Sequence, residues 1–225
     1  MAFAIVQTSP IIYGDTDADF GADTTSGNDI IVVIWSWQTG LGSGTGAVTD
    51  DKGNTYTYAY GAGATNCNVA VWYCENITGG AGHTMGIIGD NSVVAFAIEV
   101  TGLDTTPLDK TAGASGSSST AAPGSTGTLS QADEVLIAVG SCAYIDGTDH
   151  IGTPSGYTVI GYTDDNNAHQ SGGGFYKVVS ATTAENPSMA MDASVEWVAT
   201  VVSFKLSAGG GGGPTVKALA ALGVG

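Results

Sequence analysis

The sequence predicts an all-β protein, a jelly-roll-like β-sandwich built from two sequence-related halves with a flexible C-terminal arm. Three observations point there. Short runs rich in β-branched and aromatic residues are bounded by turn chemistry such as "DDKGN" and "TPSGY". No segment of the body keeps a 3.6-residue apolar period. The order of landmarks also recurs after a shift of 103 positions: "IVVIWSW" from Ile31 falls on "EVLIAVG" from Glu134, Gly53 on Gly156, Thr55 on Thr158 and Trp72-Tyr73 on Phe175-Tyr176.

The strands follow in order. In the first half they are Ile30 to Gln38, Thr55 to Tyr60, Val69 to Glu75, Thr84 to Ile88 and Val93 to Thr101; in the second, Glu134 to Ser141, Tyr157 to Thr163, Gly173 to Ser180, Ser188 to Met191 and Val195 to Leu206. Alternation places Val69, Val71 and Tyr73 on one side of their strand and Ala70 and Trp72 on the other. Both faces carry apolar mass, so such a strand belongs between layers. We read residues 1–206 as one sandwich with pseudo-repeats over about 28–103 and 131–206. The stretch Thr111 to Thr126, "TAGASGSSSTAAPGST", is expected to be the linker that crosses between the halves.

Composition narrows the partners. Five Lys, no Arg and 21 acidic residues give a formal charge of −16 in 225 residues. That excess repels phosphate backbones and anionic lipid, so neither nucleic acid nor a membrane is expected as a partner. No apolar run approaches the roughly 20 residues that span a bilayer, and MAFAIVQTSP lacks the basic n-region of a signal peptide. Cys67, Cys74 and Cys142 have no metal-ligand spacing. The odd separation of Cys67 and Cys74 points them to opposite faces of a strand, so all three are expected to be buried free thiols.

Catalytic signatures fail one by one. The five Glu residues, at 75, 99, 134, 185 and 196, never fall at the close same-face spacing of a glycosidase carboxylate pair; Glu99 is expected at an edge or interface. His83, His150 and His169 stand in turns with no Cys or second His nearby, so no metal site and no cofactor is expected. There is no nucleophile elbow, Walker loop or dinucleotide fingerprint. No catalytic residue is assigned. "YGDTDADFGAD" resembles the front of a calcium loop, but Phe20 and Ser26 occupy the positions where an EF-hand needs Gly and a bidentate acid. Asp15, Asp17 and Asp19, with Asp164, Asp165 and His169 of "YTDDNNAHQ", are left as solvated loops or a glycan- or Ca2+-binding loop set. Trp35, Trp37, Trp72 and Trp197 lie among aliphatic neighbours, which favours core packing over a sugar-stacking platform.

Residues 207–225 differ in kind. Gly209 to Gly213 have no side chains to pack and form a flexible linker. Beyond it, Pro214 opens a segment in which Val216, Leu219 and Leu222 share a helical stripe, with Val224 following Gly223. Nine residues do not hold a helix alone in water, so these five residues are expected to order by docking on a partner.

The duplicated unit, "DDKGNTYTYAY", "VWYCENITGGAGHT" and "VAFAIEVTGL" echoed by "PSGYTVIGYTDD", "GGFYKVVSATTAENPS" and "VEWVATVVSF", resembles β-sandwich structural proteins of tailed bacteriophages, of the head-decoration and tail-surface kind. The resemblance covers about residues 28–206. It implies a non-enzymatic capsid decoration or cement protein, made in the host cytoplasm and carried on the virion surface. Its implied partner is the major capsid protein or tail lattice, on which it stands as a homo-oligomer. The alternative is a carbohydrate-binding adhesin module using the two acidic loops.

Overall fold

The computed structural model describes residues 3–14, 16–37, 47–88, 92–143, 151–165 and 170–207. These residues contain fourteen strands: β1 (Ala4–Thr8), β2 (Ile12–Tyr13), β3 (Ala18–Asp19), β4 (Asp29–Ser36), β5 (Val48–Asp50), β6 (Thr57–Gly63), β7 (Asn68–Cys74), β8 (Thr84–Ile87), β9 (Val93–Thr101), β10 (Leu103–Ala121), β11 (Asp133–Ala143), β12 (Thr158–Asp165), β13 (Gln170–Ser180) and β14 (Met189–Leu206). Among the described residues there is no helix, and so none long and apolar enough to cross a membrane. The all-β expectation holds.

Two large antiparallel sheets lie face to face. The first runs β1-β9-β4-β7-β6, with β2 also on β9; the second runs β10-β14-β11-β13-β12. A small third sheet, β3-β8-β5, covers the far face of the first. Ile31, Val33 and Trp35 of β4 meet Val135, Ile137 and Val139 of β11 in the central core. Their alternates Ile30, Val32 and Ile34 pack outward against Met85 and Ile87 of the small sheet. On the other side, Leu136, Ala138 and Phe175 face Ile151, Tyr157 and Met189. Every residue of β4 is buried because both its faces are covered, which is why it reads as an unbroken apolar run.

The close approach of the sheets rests on glycine. A Cβ at Gly172 would strike the Trp35 indole, one at Gly174 would sit 2.6 Å from Val33, and one at Gly161 would sit 2.7 Å from Phe96. Trp35 stacks on Phe96 with ring centroids 5.8 Å apart, and its Nε1–H donates to Thr163 Oγ1 at 2.9 Å. The indole is thus fully buried with its one polar group satisfied.

The structure corrects the expected wiring. Each large sheet takes all its strands from one continuous stretch of chain, and the chain passes between them at Gly102, whose φ of 89° suits only glycine. The strands do not alternate between sheets, so the jelly-roll wiring is not borne out. The expected linker, Thr111 to Thr126, lies largely inside β10, a 19-residue strand. Its Gly and Ala content reflects crowding: a Cβ at Gly113 would meet the Tyr60 ring at 2.7 Å, and one at Gly116 would meet Trp197 at 2.9 Å. The stretches Ser188 to Met191 and Val195 to Leu206, expected as two strands, form the single strand β14.

The two large sheets share one strand order when β1, β9, β4, β7 and β6 are set against β10, β14, β11, β13 and β12. The shared shift of 103 does not survive the ladders. With Trp72 matched to Phe175, their partners Val32 and Ala138 are 106 positions apart, and Tyr58 and Val159 are 101 apart. Ala97 and Val201, on the next strand, are 104 apart. Both outer hairpins slip register at the same place, between Tyr58 and Tyr60 and between Val159 and Gly161. Beyond the sheets, Ala18 pairs with Met85 and Ala121 with Met189. Thr24 and Gly80 exchange N–H···O and N–H···Oγ1 bonds of 3.2 and 3.1 Å, and Thr126 and Glu185 make the same pair at 2.9 and 3.0 Å.

Gly172→Ala tests the sheet contact. The added methyl has no room beside the indole, and overpacking of this kind costs about 1–3 kcal/mol, read as a lower urea midpoint at unchanged m-value.

Candidate functional site

The densest polar constellation in the body centres on Asp50, the last residue of β5. The turn after it, Asp51-Lys52-Gly53, is closed by Asp50 Oδ1, which accepts the N–H groups of Lys52 and Asn54 at 3.1 and 3.0 Å, while Gly53 takes φ 76°. Oδ2 accepts from Asn54 Nδ2 at 2.7 Å, Tyr56 Oη at 2.9 Å and His83 Nε2 at 3.0 Å. Because a carboxylate only accepts, this contact places a proton on Nε2. On the other side of the ring, His83 Nδ1 lies 2.7 Å from Thr24 Oγ1, which also accepts from the Gly80 N–H at 3.1 Å.

Hydroxyl, imidazole and carboxylate are therefore in line, the order of a hydrolase triad. Access decides against that chemistry. The His83 and Asp50 side chains are wholly buried and Thr24 is 4% exposed. Phe20 covers the imidazole at 5.6 Å between ring centroids. A reacting carbonyl must come within about 3 Å of the nucleophile, and this arrangement is closed to one. The network instead ties the Thr24 segment, β5 and the chain entering β8 into one cap on the first sheet. Burial alone would raise the Asp50 carboxyl, but the bonds from Asn54, Tyr56 and His83 outweigh it and hold it below the usual carboxylate range.

Two further acids are buried in the sheets. Glu99 lies in β9, between β1 and β4, and is wholly buried, not at an edge or interface as expected. It accepts from Gln7 Nε2 at 2.6 Å, Thr25 N at 2.8 Å and Asn28 Nδ2 at 2.6 Å. Glu134, at the start of β11, is also fully buried, and burial together with the neighbouring Asp109 carboxylate raises its carboxyl against the opposing bond from Ser203.

An open concavity lies elsewhere. A cleft of about 390 Å³ is lined by Asp29, Glu75, Asn76, Gly102, Asp104 and Ser207, among others. Burial raises the carboxyls of both Asp29 and Glu75, and the charges of Asp29 and Asp104 push Glu75 further. Asp29 Oδ1 accepts from the Asn76 N–H at 3.0 Å, and Asn76 holds a φ of 50°.

Of the residues singled out from sequence, Asp17 precedes β3 and Asp19 closes it, both exposed. Asp19 Oδ1 accepts from the Gly21 N–H at 2.5 Å, an ordinary turn contact. Asp164 and Asp165 end β12 in the second large sheet, whereas Asp19 belongs to β3 in the small sheet on the far face of the first. Asp15, His169, Pro214, Val216, Leu219, Leu222 and Val224 lie outside the described residues. Among the described residues no group of three or more His, Cys, Asp or Glu is placed to hold a metal ion. Cys67, Cys74 and Cys142 are buried free thiols, and burial pushes Cys67 up to about 12. Trp35, Trp72 and Trp197 are core residues. The Asp50–His83–Thr24 network escaped sequence reading because its members are spread over 59 residues, though "DDKGN" marks the turn that anchors it.

The network has a pH signature. A carboxyl held below its unfolded value, near pH 4, stabilises the fold above that pH, and the contribution is lost as pH falls through the lower folded value. Asp50→Asn should flatten this acid limb of stability, and at neutral pH lower it by about 1.5–3 kcal/mol, the range for hydrogen bonds to a charged group. A second comparison uses tyrosines that each precede an outer hairpin. Tyr56 Oη donates to Asp50, whereas the buried Tyr157 Oη has no partner among the described residues. Tyr56→Phe should cost about 1–2 kcal/mol and Tyr157→Phe should be neutral or stabilising, both by urea unfolding. Set against protein-family models, curated proteins and solved structures, the chain matches none.

Proposed function

We propose that the protein is a non-enzymatic structural component of a tailed-phage virion. In this reading it is a decoration or cement protein whose sandwich is a rigid body and whose residues 207–225 dock on the capsid lattice. The observation that carries a structural reading is the direction of the polar chemistry. Asp50, His83, Glu99 and Glu134 are buried, and their engaged atoms bond to neighbouring turns and strands of the same chain. Groups used in this way build a stiff scaffold rather than a reactive cleft. The −16 charge supports attachment through an arm that carries a single Lys over a docking face on the acidic body.

The same proposal extends to the architecture. The matched strand order, the paired hairpin slips and the repeated Thr–backbone exchange support two halves descended from one unit.

A second reading, a glycan-binding adhesin module, is favoured by one feature. Tyr162 on the outer strand β12 is 62% exposed, beside the Asp164 to His169 segment, and an exposed aromatic next to polar groups suits a sugar face.

The three apolar cores lie within residues 12–206, so a chain ending at Ala208 keeps its folded body. Co-sedimentation with phage heads of the source particle should be strong for the full chain and lost for the shortened one. Equal binding by both would remove the arm from the reading. A glycan-array signal lost on Tyr162→Ala, with no particle binding, would favour the adhesin.

A further inference from the structure

Three of the four outer strands of the large sheets are guarded against further pairing. β1 has five residues and a register slip, β6 slips between Tyr58 and Tyr60, and β12 slips between Val159 and Gly161 and ends in Asp164 and Asp165. Slips, charges and shortness are the devices that keep sheet edges from adding strands. β10 differs. From Thr111 to Ser118 it pairs with β14 in unbroken register, carries no charge and no Pro, and among the described residues no strand lies on its other edge. Eight residues of regular backbone are left open.

We infer that residues 215–224 of a second copy of this chain add to that edge as a strand. Their tether is long enough to carry them clear of the end of β14. Ser207 is fixed at the foot of β10, its N–H donating to Gly102 O at 2.9 Å, and the six residues Ala208 to Gly213 span up to ~20 Å. The two surfaces also match. As a strand, Val216, Ala218, Ala220, Leu222 and Val224 share one face. The outward face of β10 presents Ala112, Ala114 and Gly116 beside Trp197. Lys217, the one charge of the segment, falls on the opposite face, where Ser117 pairs with Glu196. The segment carries one Lys and no acid, so it meets an acidic body without like-charge repulsion. This inference rests on reading residues 207–225 as a docking arm and replaces the short helix with a strand.

The test uses the full chain in three forms: unaltered, with Val216→Asp and Leu222→Asp in the arm, and with Ser115→Lys and Ser117→Lys on the edge, where both serines are exposed. Sedimentation velocity across a hundredfold concentration range should show association of the unaltered chain only. Amide exchange at Thr111 to Ser118 should slow at least tenfold at the high end of that range, in the unaltered chain alone. A chain that stays monomeric throughout overturns the inference, as does association that ignores both sets of substitutions. Protection that does not change with concentration overturns it in favour of the arm lying on its own edge. Arm-dependent particle binding without self-association would spare the docking-arm reading and overturn this one.

Discussion

Everything else in the molecule depends on Trp35 resting on a strand of glycine. The indole fills the space between two sheets because Gly172 of β13 offers backbone where a side chain would stand, as Gly174 does for Val33 and Gly161 for Phe96. The contact lets β4 and β13 approach closely, buries the largest side chain of the central core and leaves Nε1 a partner in Thr163. Glycine weakens a strand by itself. Here the loss is offset by the area the ring and its neighbours remove from water. The "SGGGFY" stretch is thus a packing feature of the second sheet that answers "VVIWSW" in the first.

Around that core, charge works as mortar. Asp50, Glu99 and Glu134 are each withdrawn from water, and burial of a carboxylate is tolerable when hydrogen bonds replace hydration. Asp50 and Glu99 are well supplied, with four or more donors on the first and three on the second. Glu134 is less so: its Oε2 finds no donor, and Asp109 stands near it. The two kinds of site pull stability in opposite directions with pH. Asp50, held low, favours the fold above the carboxylate range, while Glu134, held high, favours it when protonated, and that contribution fades as pH rises through its raised value.

The strands of the two sheets were legible in the sequence because burial on both faces writes itself as β-branched and aromatic runs, as in β4, β7 and β9. What escaped was written in other terms. β3 and β5 have two and three residues, too few for any period to show. β10 has the composition of a linker, because Tyr60 and Trp197 occupy the space its side chains would need. With Trp72 set on Phe175, none of the neighbouring strands keeps the shift of 103, since loops of unequal length change the spacing from strand to strand. The buried Asp50–His83 pair joins residues 33 positions apart, and distance along the chain carries no sign of such a contact.

The places where the two sheets' outer layers part company are as informative as those where they agree. His83 stands two residues before Met85, and Pro187 stands two residues before Met189. Pro has neither an imidazole nor an N–H to offer, so the second outer layer cannot build the first one's network. Thr126 still exchanges its bonds with Glu185 as Thr24 does with Gly80, and Tyr157 still sits before its hairpin as Tyr56 does. Its hydroxyl, however, has no acceptor among the described residues, and an unpaired buried hydroxyl is a standing cost. Lys177 partly compensates, packing 5.7 Å over the Tyr157 ring while bonding Glu185 at 2.8 Å. The first outer layer is therefore held by a wholly buried carboxylate, the second by a partly exposed ion pair that salt weakens. Of the two covers, the one over Phe175 is the looser by construction.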